Sequence, residues 1–152
     1  MYKPKRGFTL VELLEVVGII AVIAAVIFVI VDPVKRLKEA RNTQRWQGVK
    51  MISDAIRLYQ LDSLGQTPAG IDTTWRMLGT STSGCNVTCS VGTPQAACID
   101  ISGALTGKLP QMPIDPLVGT ATRTYYAVRR ETTGVVAVAA CGAEGTTITT
   151  RK

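Results

Sequence analysis

Two carboxylates interrupt an apolar stretch near the start of the chain. Glu12 and Glu15 lie within residues 8–31, where every other residue except Thr9 is apolar or glycine. An ionised side chain inside a bilayer is costly unless it is paired, so such residues usually have a function. The chemistry that these two side chains offer is ion pairing, and the element that must position them is a membrane helix.

The length of this stretch supports a membrane span. As an α-helix, the 24 residues from 8 to 31 would cover about 36 Å, which exceeds the ~30 Å thickness of the hydrocarbon layer. No small-x-small cleavage site follows the run, and the run is longer than the apolar core of a secretory signal. We therefore expect the span to remain in the mature protein.

The residues before Glu12 form a pattern of their own. Residues 5–12 read KRGFTLVE, which resembles the processing site of type IV pilins and of the pseudopilins of type II secretion. The resemblance implies that a prepilin peptidase cuts between Gly7 and Phe8, and that Phe8 becomes the N-methylated terminus of the mature chain. It also implies that Glu12 pairs with the amino terminus of a neighbouring subunit, a role that agrees with the strong attraction of opposite charges in a low dielectric.

Glu15 departs from this family pattern, because that position is usually apolar. The acid is therefore either a second intramembrane pairing site or a side chain exposed near the cytoplasmic face. Both alternatives remain open at the level of the sequence.

Composition argues against an enzyme. The 152 residues carry a net charge of +6 and include no His, which removes the commonest general base and the commonest metal ligand. Related pseudopilins often bind calcium, but the acids Asp115, Glu131 and Glu144 are scattered and too few for an oxygen cage. We expect no catalytic residue, no metal and no cofactor, with calcium as the remaining alternative.

The four cysteines predict disulfides. Cys85, Cys89, Cys98 and Cys141 form an even set without the paired C-x2-C knuckles of a zinc site, which is the competing interpretation. Two disulfides would place the body of the protein outside the cytoplasm and the amino terminus inside. Four cysteines permit three pairings, and the sequence does not choose among them.

The chain divides into four segments. Residues 1–7 are the predicted leader, residues 8–31 the membrane and filament-core helix, residues 32–62 its amphipathic continuation, and residues 63–152 a globular head. One helix is expected to reach about Asp62, with Pro33 compatible with a bend or restart at the membrane exit. The stripe of Val49, Ile52 and Ile56 should face a sheet.

The head is expected to combine a long loop with a sheet. Residues 63–98 lack periodicity and should be stapled by disulfides, with a helical turn around Trp75, Met77 and Leu78. Strands are predicted at residues 124–130, 135–140 and 146–150, as an antiparallel meander to which residues 98–101 contribute a further strand. The fold class is therefore α+β and pilin-like: a long N-terminal helix packed on a small antiparallel sheet.

The favoured function is a pilin that polymerises into a type IV filament for adhesion, motility or surface attachment. It would reside in the cytoplasmic membrane before assembly and in an extracellular or periplasmic filament afterwards. Implied partners are copies of itself, membrane lipid, the prepilin peptidase, an assembly ATPase and an inner-membrane platform protein. The surface could then contact DNA or a host or abiotic surface.

A membrane-tethered enzyme would need a polar pocket of acids or a thiol nucleophile. Besides it, two other interpretations remain. One is a major pseudopilin of a type II secretion system. The other is a competence pilin or DNA receptor, suggested by cationic residues in the last third of the chain that lie near Tyr125 and Tyr126 in sequence: Arg123, Arg129, Arg130, Arg151 and Lys152. Binding of DNA through such residues should weaken steeply with salt.

Overall fold

The computed structural model describes residues 7–152, apart from the side chain of Val31. The predicted leader therefore lies outside the described residues except for Gly7. The chain separates into two compact units, one ending at Leu37 and the other comprising Lys38–Lys152.

Helix α1 spans Leu10–Val31 and carries the apolar run. Thr9 caps its amino end, so the helix begins two residues after Phe8. Apolar side chains are exposed along its described length, which is the reverse of what a helix in a water-soluble core would show. Its length and composition are sufficient to cross a membrane over Leu10–Ile30.

The expected single helix is interrupted at Asp32. This residue adopts a left-handed conformation, with φ 38° and ψ 81°, and helix α2 then runs from Pro33 to Asp62. Proline disfavours the helical conformation in the residue before it, and it is well suited to the first position of a new helix. The Asp32 side chain accepts a hydrogen bond from the Lys35 N–H at 3.2 Å, so Asp32 ends one helix and caps the next.

Helix α2 ends where the sequence predicts. Gly65 adopts φ 86°, a conformation that costs glycine little, and its N–H donates to the carbonyl of Gln60 at 2.7 Å. Within the second unit, the helix buries Val49, Ile52 and Ile56 as expected, together with Arg45.

The sheet has four antiparallel strands in the order β1-β2-β3-β4: Arg76–Met77, Tyr126–Arg130, Val136–Ala140 and Ile148–Arg151. Tyr126 pairs with Ala140, and Ala140 pairs with Ile148. The predicted three-stranded meander is confirmed, with strands shorter by one or two residues than expected.

Two details of the head were predicted wrongly. The segment around Trp75, Met77 and Leu78 is not a helical turn: Arg76–Met77 forms the edge strand β1, and the Leu78 N–H donates to the Tyr126 carbonyl at 2.8 Å. Residues 98–101 do not form a strand of the sheet and contribute only an isolated bridge from Ile99 to Leu78. The segment that pairs with the outer edge of β2 is only two residues long, which is too short to show a strand pattern in the sequence.

Both faces of the sheet are covered. On one face, α2 packs through Val49, Ile52 and Ile56 against the core side chains of the strands. On the other, Trp75 and Cys89 pack on Ala127, Ala137 and Ala139. All five residues of β3 are buried, because helix and loop enclose this strand from both sides.

Candidate functional site

Glu12 is held at the first turn of α1 by the residue that starts the helix. Its carboxylate accepts hydrogen bonds from the Thr9 main-chain N–H at 2.9 Å and from the Thr9 hydroxyl at 2.8 Å. In return, the Glu12 N–H donates to the Thr9 hydroxyl oxygen at 3.2 Å. This reciprocal arrangement is a capping box, and it holds the carboxylate at the first turn of α1, four residues after Phe8.

Glu15 lies three residues further along the helix, on nearly the same face as Glu12. Unlike Glu12, its side chain has no hydrogen bond or ion pair with any residue from 7 to 152. The sequence contains no Lys or Arg between Gly7 and Val34. The apolar helix therefore carries two acids and no cation of its own.

A buried arginine anchors α2 to the rest of the second unit. Arg45 is fully buried. Its guanidinium donates two hydrogen bonds to the Asp115 carboxylate, from Nε to Oδ2 at 2.7 Å and from Nη2 to Oδ1 at 3.1 Å. Gly142 leaves room for this pair, because a Cβ there would overlap the carboxylate. Two-point contact of this kind fixes geometry as well as charge.

A second carboxylate extends this network toward the surface. Glu144 accepts two hydrogen bonds from Arg41, each at 2.7 Å, and one from Nη1 of Arg45 at 3.0 Å. Asn42 adds two further contacts, donating to the Glu144 carbonyl at 2.9 Å and accepting from its N–H at 3.1 Å. We call Arg41, Asn42, Arg45, Asp115 and Glu144 the arginine network.

The network keeps both carboxylates ionised. Hydrogen bonds from Arg41 and Arg45 lower the pKa of Glu144 to about 2. Burial acts to raise the pKa of Asp115, but hydrogen bonds from Arg45 and two main-chain N–H groups outweigh it, so that pKa lies below its ordinary value. Nearby, burial and the Asp115 charge raise the pKa of Tyr126 to about 12. The network is thus built to hold charge in place rather than to exchange protons near neutral pH.

The four cysteines form two disulfides, Cys85 with Cys98 and Cys89 with Cys141. The first closes a short loop. The second joins that loop to the residue that follows β3, and so ties the loop layer to the sheet. No cysteine is left as a thiol nucleophile.

The predicted cationic surface is only partly assembled. Arg129 lies over the ring of Trp75, at 4.8 Å from its centre, and both Arg129 and Arg151 approach Glu131, at 3.6 and 3.2 Å. Lys152 instead pairs with Asp54 of α2. Two of these five cations thus share one acid.

The remaining two predicted cations contact other parts of the head. The Arg123 guanidinium donates to the Gly84 carbonyl at 3.2 Å, and the Arg130 main-chain N–H donates to the Asp72 carbonyl. Tyr126, which the sequence placed beside them, is buried.

The acids considered for calcium are engaged by arginines. Asp115 and Glu144 belong to the arginine network, and Glu131 faces Arg129 and Arg151. Within residues 7–152, no group of three or more His, Cys, Asp or Glu is placed to hold a metal ion.

Comparison with protein families identifies the amino-terminal segment. The family model described as the prokaryotic N-terminal methylation motif matches residues 2–28, which include Gly7, Phe8 and both carboxylates of α1. The chain carries this motif. Comparisons with curated proteins and with solved structures find no match.

The methylation motif is typical of type IV pilins and pseudopilins. With a long apolar helix, a second helix and a four-stranded antiparallel sheet, the fold is α+β and pilin-like. The motif implies processing by a prepilin peptidase and filament assembly in general, and together with α1 it fits a membrane-anchored precursor.

Sequence reasoning missed the arginine network. Arg45 stands four residues before Val49 and seven before Ile52, on the buried stripe of α2. A cation at a core position of a helical stripe signals a buried ion pair, because an unpaired one would be too costly. The identity of its partner, Asp115, has no comparable signal.

Proposed function

We propose that this chain is a structural filament subunit that polymerises through α1 into a type IV pilus or a related filament. The observation that carries the proposal is the methylation motif at residues 2–28 leading directly into a helix whose apolar side chains are exposed along its described length. Such a surface has only two stable environments, the lipid bilayer and a bundle of similar helices. We propose that the chain passes from the first to the second.

Cleavage between Gly7 and Phe8 would prepare this transfer. It would create an ammonium at Phe8, four residues before Glu12. The capping box already orients the Glu12 carboxylate, so its position would be set before a neighbouring subunit brings an amino terminus to it. Because either charge alone is penalised in an apolar environment and the pair is not, the pairing would favour an ordered assembly.

The specific partners follow from this mechanism. A prepilin peptidase would make the cut, and an assembly ATPase with an inner-membrane platform protein would extract the subunit from lipid. The precursor would reside in the cytoplasmic membrane with its amino terminus inside, and the head, stapled by two disulfides, would lie outside. A role in adhesion, motility or surface attachment is our first choice, and a major pseudopilin of type II secretion is the alternative.

The decisive experiment is electron microscopy of material sheared from cells that express the chain, with mass spectrometry of its dominant band. We expect filaments whose subunit begins at N-methylated Phe8. A Gly7→Asp variant should retain its leader and yield no filaments. A dominant band that keeps residues 1–7 would overturn the processing step.

Glu12→Gln separates charge from helix capping. Glutamine can still close a capping box with Thr9, but it cannot form an ion pair. We expect normal processing and membrane insertion with greatly reduced filament yield. Thr9→Val is the matched control, because it removes the cap and keeps the charge. Normal filament yield from Glu12→Gln would refute the pairing mechanism.

A further inference from the structure

Of the two acids of α1, only Glu15 lacks a polar partner among residues 7–152, the part of the chain that the structure describes. Glu12 is bound by Thr9 through its main-chain N–H and its hydroxyl, whereas the Glu15 side chain contacts no polar partner in residues 7–152. Both acids stand on a helix that is apolar enough to cross a membrane. The Glu12 carboxylate therefore has hydrogen-bond donors within its own helix, whereas the Glu15 carboxylate would have to find a donor or cation on another molecule.

If the candidate span Leu10–Ile30 is centred on the hydrocarbon layer, Glu15 lies deeper than the lipid headgroups. The span Leu10–Ile30 contains 21 residues, which is about 31 Å of helix and matches the ~30 Å hydrocarbon layer. Glu15 is five residues past Leu10, or about 8 Å inside that layer at ~1.5 Å per residue. A headgroup ammonium lies outside the layer, so a cation that meets Glu15 at this depth is best carried by another helix.

A second copy of this chain that spans the bilayer at the same depth offers no cationic side chain at the level of Glu15, because no Lys or Arg lies between Gly7 and Val34. Resting on the proposed function, each processed copy contributes one amino terminus, which Glu12 of a neighbour consumes. Each copy also brings two acids, and it has no Lys or Arg between Gly7 and Val34. A bundle made only of this chain therefore holds twice as many intramembrane carboxylates as ammonium groups.

The helix surface beside Glu15 is open to a neighbour. Gly18 lies one turn deeper on the same side, and nothing else lies within 4 Å of the position that a Cβ would occupy there. Small residues let the backbones of two membrane helices approach closely. A long cationic side chain from an adjacent helix could then pass over Gly18 and pair with the Glu15 carboxylate.

We propose that Glu15 is the contact residue for a different membrane protein, whose spanning helix carries a Lys or Arg at the matching depth. The partner is defined by charge complementarity, since the face of α1 around Glu15 offers an anion and lacks any cation. This contact would recruit the chain to a heterologous helix, while Glu12 serves contacts between copies.

The test uses the full chain reconstituted in phosphatidylcholine vesicles, which contain no primary amine. The probe is a synthetic apolar spanning peptide with one Lys at the depth of Glu15, and its control has Leu at that position. Energy transfer between labelled chain and labelled peptide reports association. We expect the Lys peptide to bind about tenfold more tightly, the size of a polar contact between membrane helices.

Two variants assign the contact. Glu15→Gln should abolish the preference for the Lys peptide, while Glu12→Gln should keep most of it. Equal binding of both peptides by the unaltered chain, or a preference that survives in Glu15→Gln, would overturn the proposal. So would loss of the preference on adding phosphatidylethanolamine, because a lipid ammonium would then be the partner.

The outcome is independent of filament formation, because the assay needs a single chain in a vesicle. Failure here would leave the proposed filament subunit standing. Conversely, normal filaments from Glu12→Gln would refute the pairing mechanism, but the measured preference of the chain for the Lys peptide in vesicles would stand.

Discussion

Helix α1 and the second unit differ in whether their charged side chains have a partner within the same chain. In α1, two acids stand on an exposed apolar surface with no cation in the span to meet them. In the second unit, Lys38–Lys152, Arg45 of α2 and Asp115 of the head are buried and pair with each other within one chain. The same physical penalty for an unpaired charge in a low dielectric applies to both. It stabilises the fold where the partner is internal, and it favours association where the partner must come from outside.

The largest effect should come from breaking the internal pair. Arg45→Met leaves Asp115 buried without its cation, and we expect a loss of about 3–5 kcal/mol in the free energy of unfolding of the second unit. Urea titration of the full chain in detergent, followed by tryptophan fluorescence, measures it. Both tryptophans, Trp46 and Trp75, lie in the second unit.

Two controls isolate the buried charge. Arg41→Met removes a partly exposed cation and should cost much less. The double variant Arg45→Met with Asp115→Leu should recover much of the loss, because no lone charge remains. A single Arg45→Met variant as stable as the parent would show that Asp115 is not held by this arginine.

The second disulfide should matter more than the first. Replacing Cys89 and Cys141 by Ser opens a loop with a sequence separation of 52, whereas Cys85 and Cys98 are separated by 13. From chain entropy we expect losses of about 4 and about 3 kcal/mol respectively. Chemical unfolding of the two double variants gives both values, and the opposite order would indicate that packing of the loop on the sheet dominates.

The contrast between the two regions also explains what the sequence could predict. The methylation pattern, the span, the helical stripe from Val49 to Ile56 and the last three strands are local patterns read over a few residues. The break at Asp32 was foreshadowed by Pro33, because proline acts on its immediate neighbour. A structural feature can be predicted from the sequence when the residues that determine it are close together along the chain.

The parts that could not be predicted depend on distant residues. Arg45 and Asp115 are 70 positions apart, and strand β1 exists only because β2 offers it an edge. The cysteine pairing is likewise set by the packing of the loop on the sheet rather than by spacing. These features are consequences of the tertiary fold, and no short pattern contains them.

A close approach between α2 and the sheet gives a further test of the head. A Cβ at Gly48 would overlap the hydroxyl end of the buried Tyr126 ring, so Gly48→Ala should cost about 1–3 kcal/mol through overpacking. Gly103→Ala is the matched control, because nothing lies within 4 Å of a Cβ there. Thermal unfolding of both variants should show a lower midpoint only for the first.

Acid should weaken the head through the arginine network. Glu144 has its pKa lowered to about 2 in the folded state, below its ordinary value, so the unfolded chain binds the proton more readily. Its contribution is complete above about pH 4.5 and is lost as the pH falls toward about 2. The midpoint of unfolding should fall as the pH is lowered from about 4.5 to about 2. The Glu144→Gln variant should show a smaller change in midpoint over the same pH range. An unchanged slope in that variant would assign the effect to the other carboxylates whose pKa is lowered in the folded state, which are Asp72, Asp100 and Asp115 among the head residues.

The smallest effect should come from an ion pair with the same geometry but a different environment. Lys108 Nζ lies 2.8 Å from Asp62 Oδ2, nearly the separation of Arg45 from Asp115, but the Asp62 side chain is 67% exposed. Water screens this pair, so Lys108→Met should change the free energy of unfolding by less than about 1 kcal/mol. If urea titration gave Lys108→Met and Arg45→Met equal costs, distance rather than burial would decide what a charge contributes. The distinction between the paired head and the unpaired helix would then lose its physical basis.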